Sequence, residues 1–512
     1  MTTQKTLASL LADWPDLSLA RGEPATAVTG VTHDSRAVEP GGLFVAIPGF
    51  RVDGHSFLPD AVAAGAGAVI VQEGHDDAWQ DLDPGVAVIK APDTRLALSH
   101  AAAWCFDYPG REIAIVGITG TDGKTTTAHL ATYVLEAGGY TVGRLGSVDV
   151  YVGGENRLTT ERITTPEAPE VHRLLRRMVD AGCQVALVES TSHGLALHRL
   201  TDVDFDVACF TNITGDHLDF HETFEAYREA KSLLFAALDR TRPKGVPKTA
   251  IVNADDPSAN FMLGQSHSRA IRFGMESHDA ELLARNVALH ASGSEFRLMT
   301  RMGPAEVSIR LPALFNVQNA LAAAGIGLAF GLPPQVVADG LGQCSGVPGR
   351  MEHIAAGQPF DVIVDYAHTG DSIRKVISVL REVGSGRIIL VVGAAGEHDP
   401  GRRFGVARAA AEEADLVVFT SEDPGGEDPA SIVREMGSHA ERAGRRRGED
   451  FREVLDRREA IAEAFKHARE GDTVLICGKG HEQSIIYGET TIPWDDRAVA
   501  REELARLDAD TA

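Results

Sequence analysis

The run IAIVGITGTDGKTTT, residues 113–127, decides how the rest of the chain is read. Ile113, Ala114, Ile115 and Val116 are apolar and mostly β-branched, which marks a strand buried on both faces of a parallel sheet. The strand feeds a loop holding Gly120, Gly123 and Lys124. From Thr125 the spacing of Leu130, Tyr133 and Val134 is helical until Gly138 and Gly139 stop it. Strand, glycine loop, lysine, hydroxyl residue and helix together make a polyphosphate site. Glycines admit backbone N–H groups, a helix N-terminus favours anions, Lys124 adds positive charge, and Thr125 offers a hydroxyl to Mg²⁺. The reading is ATP or GTP binding. The loop departs from the common P-loop, whose G-x-x-x-x-G-K-[ST] pattern requires glycine where Ile118 stands. A plain glycine turn accounts for Gly120 and Gly123, but not for Lys124, Thr125 and Thr126 behind a buried strand.

Composition sets the frame. A chain of 512 residues is expected to form about three domains. Apolar content of 44% with 24% charged residues is ordinary for a soluble protein. A net charge of -24 argues against nucleic acid or an anionic membrane as the main partner, so a nucleotide needs a local basic pocket. With 6% aromatics and no aromatic-basic stripe, the composition also argues against single-stranded nucleic acid. Cys105, Cys183, Cys209, Cys344 and Cys477 are scattered without metal spacing, which points to reduced core thiols and a cytoplasmic protein. No run reaches the ~18 apolar residues of a membrane span, and no basic-flanked apolar N-terminus is present.

Along the chain, residues 1–110 read as a compact α/β unit, with strands near 43–47 and 68–71 and an alanine-rich helix over 57–64. His33-Asp34-Ser35-Arg36 and Asp53-Gly54-His55 stand out there, although turn chemistry alone explains such clusters. Residues 111–345 alternate strands and helices, predicting a mostly parallel sheet covered on both faces. Ligands of open α/β sheets bind beyond the carboxyl ends of the strands. Glu189 to His193 and Thr211 to His221 follow two such strands, so Glu189 and His217 are candidate ligands of a hard cation. The plain alternative for Glu189 is a helix N-cap. Over 224–238 an apolar stripe contains Lys231, which either snorkels or, as a buried neutral amine, adds CO₂ to form a carbamate. Residues 346–512 form a third α/β block, whose strands near 360–364, 388–392, 416–419 and 473–476 each run into polar or glycine-rich residues. Arg442 to Arg447 reads as a solvated loop.

These motifs, in order, resemble the Mur ligases, and within them the MurE type that adds the third peptide residue of peptidoglycan. The resemblance rests on Gly120-Thr121-Asp122-Gly123-Lys124-Thr125-Thr126, with Asp122 where Asn is usual, and on Thr164-Thr165-Pro166-Glu167, Glu189 to His193 and Asp216-His217-Leu218-Asp219. Ala230-Lys231, Asn316 to Asn319, Gly349-Arg350-Met351-Glu352, Asp365 to His368 and Gly478 to Glu482 complete the series. It covers nearly the whole chain. It implies a three-domain α/β protein: a UDP-substrate domain (1–110), a central P-loop-type ATPase domain (111–345), and a Rossmann-like domain for the amino acid (346–512).

The resemblance also implies roles. Ser35, Asp53 and His55 fall in the segment for the UDP moiety, while Thr164, Thr165, Thr191 and Arg199 fall where the muramoyl dipeptide is held. Asn319 matches an adenine contact, Asp365 a ribose contact, and Arg350 and His368 nucleotide contacts from the last domain. Mg²⁺ is implied at Thr125 and Glu189, and a second ion at His217 and a carbamylated Lys231. This reverses the local preference for snorkelling. Arg403, Asp423, Gly478 and Glu482 fall around the incoming amino acid. Members using meso-diaminopimelate carry Asp-Asn-Pro-Arg, whose arginine grips the distal carboxylate; here Gly425 occupies the arginine position, beside Glu422, Asp423, Glu427 and Asp428. L-Lysine or L-ornithine is therefore the expected substrate, ahead of diaminopimelate. The implied reaction makes an acyl phosphate from ATP and a carboxylate, then an amide. A folylpolyglutamate synthetase shares that chemistry and is the nearest alternative; an ATP-binding regulatory protein is the alternative outside the enzymes. A monomer is expected.

Overall fold

The computed structural model describes residues 5–50, 52–158, 164–215, 218–241, 243–290, 293–384, 386–397 and 400–511. Its centre is the strand Ala114–Thr119, buried along its whole length, which pairs in parallel with Val185–Glu189 on one side and Val207–Phe210 on the other. Beyond Val207–Phe210 the parallel pairing continues through Thr249–Asn253, Arg269–Gly274 and Leu282–His290; beyond Val185–Glu189 it continues to Val142–Leu145. Both edges then turn antiparallel, through Gly293–Thr300 and Gly303–Ile309 at one end and Asp149–Val152 and Glu155–Leu158 at the other. These edge strands lie outside the set expected from apolar runs. In Gly293–Thr300 buried and exposed residues alternate, as one solvated sheet face requires.

Helices cover both faces of the parallel strands. Leu130 and Val134 from Lys124–Ala137 and Leu321 and Ile326 from Leu314–Ala329 fill one face; Leu174, Leu234 and Phe235 fill the other. Leu314–Ala329 is apolar almost all round because it lies between the sheet and a second helix layer. Four of the cysteines are buried, all five are unpaired, and burial pushes the Cys105 thiol up to about 11, so these are inert core thiols. Among the described residues no helix is long and apolar enough to cross a membrane.

The first block is a five-stranded sheet running Ser18–Arg21, Ala87–Ala91, Ala68–Gln72, Leu43–Val45, Val31–Thr32. Its expected helix over 57–64 is the helix Leu58–Ala63 preceded by a 3₁₀ turn, Gly54–Phe57. The last block holds a six-stranded sheet, in which Thr473–Cys477 pairs in parallel with Asp361–Asp365 and Ile388–Val392, and a separate hairpin, Ser484–Tyr487 with Thr490–Pro493. Its helix Gly370–Val383 starts at a reciprocal cap between Thr369 and Ser372. The last block leans on the central one: Phe315 packs against its core, and His481 and Lys375 reach residues of the central block.

One buried group makes this core sensitive to acid. His172, in the helix Ala168–Asp180, is fully buried with neither ring nitrogen hydrogen-bonded among the described residues, and burial holds its pKa down at about 4. The ring is neutral in the fold, whereas an unfolded chain protonates it near pH 6.5. Stability is therefore unaffected above pH 6.5 and falls as pH drops from there towards 4, by about 2 kcal/mol at pH 5. His172→Leu is expected to shrink the difference in urea midpoint between pH 7 and pH 5; an unchanged difference would remove His172 from the acid response.

Candidate functional site

The site lies where the central parallel strands end. Gly123 has φ +85°, and a Cβ there would sit 2.2 Å from Oδ1 of Asn319, so only glycine fits between loop and helix. Asn319 is itself fixed, with Nδ2 donating to Asn316 Oδ1 at 3.2 Å. Lys124 opens its helix and donates from Nζ to the carbonyls of Gly120 (2.9 Å) and Thr121 (2.8 Å). Thr211 and Asn212, at the end of the neighbouring strand, pin the loop: Thr211 Oγ1 donates to the Asp122 carbonyl at 2.6 Å, and Asp122 N donates to Asn212 Oδ1 at 3.0 Å.

Glu189 is the hub. Thr125 Oγ1 donates to its Oε2 at 2.9 Å, Ser147 Oγ donates to the same oxygen at 3.1 Å, and Ser147 N donates to Oε1 at 3.1 Å. A carboxylate and hydroxyls meeting beside a phosphate loop form an oxygen donor set suited to Mg²⁺. The N-cap of the following helix Ser192–Ala196 is Thr191, not Glu189, so the capping explanation for the acid fails. Ser147 was not anticipated, although it follows the strand Val142–Leu145 and the rule about strand carboxyl ends would have found it.

Lys231 is 1% exposed, which rules out snorkelling. Its Nζ donates to the Gly120 carbonyl at 2.8 Å and lies 4.4 Å from the centre of the Tyr227 ring. His217 falls outside the described residues. Thr164 Oγ1 is 2.9 Å from Ser147 Oγ, and Thr165 Oγ1 donates to the Glu189 carbonyl at 2.8 Å while accepting from Thr191 Oγ1 at 2.9 Å. Arg199 donates to the Thr165 carbonyl at 3.0 Å and pairs with Glu167 at 2.7 Å. These four side chains form a polar wall joined to Glu189.

From the last block, Arg350 lies over Tyr366 at 4.6 Å, and Asp365 accepts from Met351 N and Ala367 N, each at 2.8 Å. Burial raises the Asp365 carboxyl while Arg350 opposes the shift. His368 Nδ1 is 2.8 Å from the Tyr366 carbonyl. A second polar nest holds Asp423, Gly478, Lys479 and Glu482. Lys479 is fully buried and pairs with Asp423 at 2.6 Å and with Glu482. Glu422 is buried beside them, its Oε2 lacks a hydrogen-bond partner among the described residues, and burial raises its carboxyl. Arg403 pairs with Glu427 at 2.6 Å and Glu435 at 3.1 Å.

In the first block, Ser35 begins a 3₁₀ turn capped by Asp34. Asp53 and His55 are held together: His55 Nδ1 is 2.6 Å from Asp53 Oδ1, and its Nε2 accepts from Gln72 N at 3.0 Å. His75 completes a trio whose ligand atoms lie within 4.8 Å of one another. The Gln72 contact puts the neutral ring's proton on Nδ1, the atom a metal would need, so the trio serves as a loop support.

A parallel-sheet phosphate loop with a hydroxyl-carboxylate pair beside it, flanked by two further α/β blocks of which the last brings Lys375 and His481 to the same cleft, defines a nucleotide-dependent enzyme of modular build. Residues 27–104 match the model of the Mur ligase family, catalytic domain; residues 118–327 match the Mur ligase middle domain; residues 349–480 match the Mur ligase, glutamate ligase domain. A UDP-N-acetylmuramyl-tripeptide synthetase of Roseiflexus sp. (strain RS-1) is 46% identical over 94% of this chain and 95% of its own length. A UDP-N-acetylmuramoyl-L-alanyl-D-glutamate--2,6-diaminopimelate ligase of Bacillus licheniformis is 36% identical over 98% and 99%. A solved structure of a ligase of that name superposes with a TM-score of 0.66 at 28% identity, covering 100% of both chains. The chain belongs to the Mur ligase family and is an ATP-dependent, amide-forming ligase.

Proposed function

We propose that this ligase adds a diamino acid, L-lysine or L-ornithine, to UDP-N-acetylmuramoyl-L-alanyl-D-glutamate through an acyl phosphate. The observation that carries the reading is the hydrogen-bonded group Thr125, Glu189 and Ser147, with the Thr164, Thr165, Thr191 and Arg199 wall built onto it. Polar side chains hydrogen-bonded to one another beside the phosphate loop support a site for an anionic, hydroxyl-rich substrate there. We assign three units, 1–110, 111–345 and 346–512, to the UDP moiety, ATP and the amino acid in turn. Ser35, Asp53 and His55 face the UDP moiety, with the Asp53–His55 pair fixed against Gln72. The five unpaired cysteines support a cytoplasmic setting.

A carboxylate is a poor acyl donor because it has no good leaving group, so its oxygen first attacks the γ-phosphorus of ATP and ADP leaves. The amine then attacks the acyl carbon, and phosphate leaves from the tetrahedral intermediate. The backbone N–H of Gly123 and the ammonium of Lys124 stabilise the charge that builds on the phosphates. Thr125 and Glu189 would hold one Mg²⁺, and His217 with a carbamylated Lys231 a second, supplying charge neutralisation at phosphate oxygens. Arg199 orients the dipeptide carboxylate. Asn319 and Asp365 hold the nucleoside, and Arg350 and His368 close on the nucleotide from the last block, which excludes water. Oxygen-18 placed in the dipeptide's terminal carboxylate is expected in the released phosphate; its absence there would reject the acyl phosphate.

The choice of amino acid follows from the second nest. Gly425 has φ +57°, and a Cβ there would lie 3.1 Å from a Glu397 carboxylate oxygen, so the backbone itself disfavours an arginine fork. Lys479 neutralises some of the charge of Asp423 and Glu482, which leaves Glu422 with an uncommitted oxygen for the far ammonium of the substrate. Arg403, Gly478 and Glu482 hold the amino acid's common end. Diaminopimelate is the second reading, because the Bacillus licheniformis relative is named for it. Glu422→Gln is expected to raise KM for L-lysine and L-ornithine by about ten- to a hundredfold, with little change in KM for ATP. With all three amino acids in competition, strong preference for diaminopimelate would reject the acidic-nest argument. A folylpolyglutamate reading is disfavoured by the first block, which matches the family over residues 27–104.

A further inference from the structure

The phosphate loop carries an acid. Asp122 lies two residues before Lys124, its main chain is built into the loop through Thr211 and Asn212, and its carboxylate is exposed to the cleft. An anion in that position opposes the binding of a polyphosphate. The carboxylate does not stand alone. Oδ2 lies 3.2 Å from Nζ of Lys375, which is 253 residues away in the helix Gly370–Val383 of the last block. Asp371, one turn earlier on that helix, holds the same ammonium at 2.9 Å and so aims it across the cleft. The Asp122 charge is also felt at Asp365, whose carboxyl it helps to raise.

We propose that Lys375 is a positioning residue for ATP: by neutralising Asp122 from the last block, it makes the phosphate loop competent for polyphosphate only when the last block is docked. The loop thus reports the position of that block. With the block swung away, Asp122 repels the incoming phosphates; with it docked, the Lys375 ammonium, shared with Asp371, offsets part of the Asp122 charge at the edge of the site. The pair is half exposed at both ends, so as a stability contact it is worth little. Its consequence lies in the field at the nucleotide. The inference rests on the ATP reading of the loop but adds a residue outside it.

The test is a double-mutant cycle on the full chain. Lys375→Ala is expected to raise both the Kd for ATP and KM for ATP by about three- to tenfold, with a smaller change in kcat. Lys375→Arg keeps the charge and is expected to stay within about twofold of wild type. In an Asp122→Asn background, removing Lys375 is expected to change KM for ATP by less than about 1.5-fold, because the acid in the loop itself is gone and Asp371 lies on the helix of the last block. Raising salt from about 50 mM to about 500 mM is expected to shrink the Lys375→Ala effect, since the screening length falls several-fold. An effect of equal size in both backgrounds would assign Lys375 a purely structural role and overturn the proposal, as would no effect in either. Failure of the wild type to bind ATP at all would instead reject the reading of the loop.

Discussion

Lys124→Ala is expected to lower ATP-dependent ligation by about a hundred- to a thousandfold or more while leaving the fold intact. The ammonium sits on the carbonyls of Gly120 and Thr121, so it is already aimed at the loop interior, and bound phosphate oxygens would compete for it. Loss of the side chain removes the one loop cation that lies in the sequence motif itself. The buried strand Ala114–Thr119 and the helix behind it do not depend on that cation, since their cohesion comes from Val116, Ile118, Leu130 and Val134 in the apolar core. Circular dichroism and thermal midpoint are therefore expected to match wild type. Unchanged turnover in this variant would remove the phosphate-loop assignment.

Lys231→Ala is the second large effect, with activity expected to fall to background and to recover partially when a short-chain carboxylic acid such as acetate or formate is added. The reasoning starts from burial: the helix Phe224–Leu238 drives the amine into the cleft, against the Gly120 carbonyl and the Tyr227 ring. Carbamylation keeps one N–H on that nitrogen, so the contact with Gly120 survives, and it adds two oxygens that an unmodified lysine lacks. A small carboxylate diffusing into the truncated site supplies the same oxygens without the tether. Labelled carbon dioxide is expected to give a carbamate carbon signal in wild type and none in the variant. Absence of both the signal and the rescue would return Lys231 to a plain hydrogen-bonding role.

The phosphate loop was legible because its chemistry is local: glycines, lysine and hydroxyl are consecutive, and a buried strand must precede them. Glu189 was legible for a related reason, as a polar residue at the end of an apolar run. Ser147 was missed because LGS after a short strand looks like any turn, and its role exists only through a carboxylate 42 residues away. The antiparallel edges were missed because strands with one solvated face lack the continuous apolar runs used to find the interior ones. The loop trio of Asp53, His55 and His75 shows the opposite error risk. Such a set invites a metal, and only the Gln72 amide decides the tautomer against it.

By itself, the sequence determined the α/β alternation, the order of three blocks and the strand–glycine loop–helix unit at residues 114–137, because each is written in residues close together along the chain, where periodicity and turn chemistry act. Tertiary structure alone decided that Lys231 is buried rather than snorkelled, that a Glu422 oxygen has no hydrogen-bond partner among the described residues while its neighbours share Lys479, and that Asp122 meets Lys375 across the cleft. Those outcomes depend on which side chains arrive from distant blocks and on how much water they displace. Electrostatic energy scales with both, and neither is encoded in spacing along the chain.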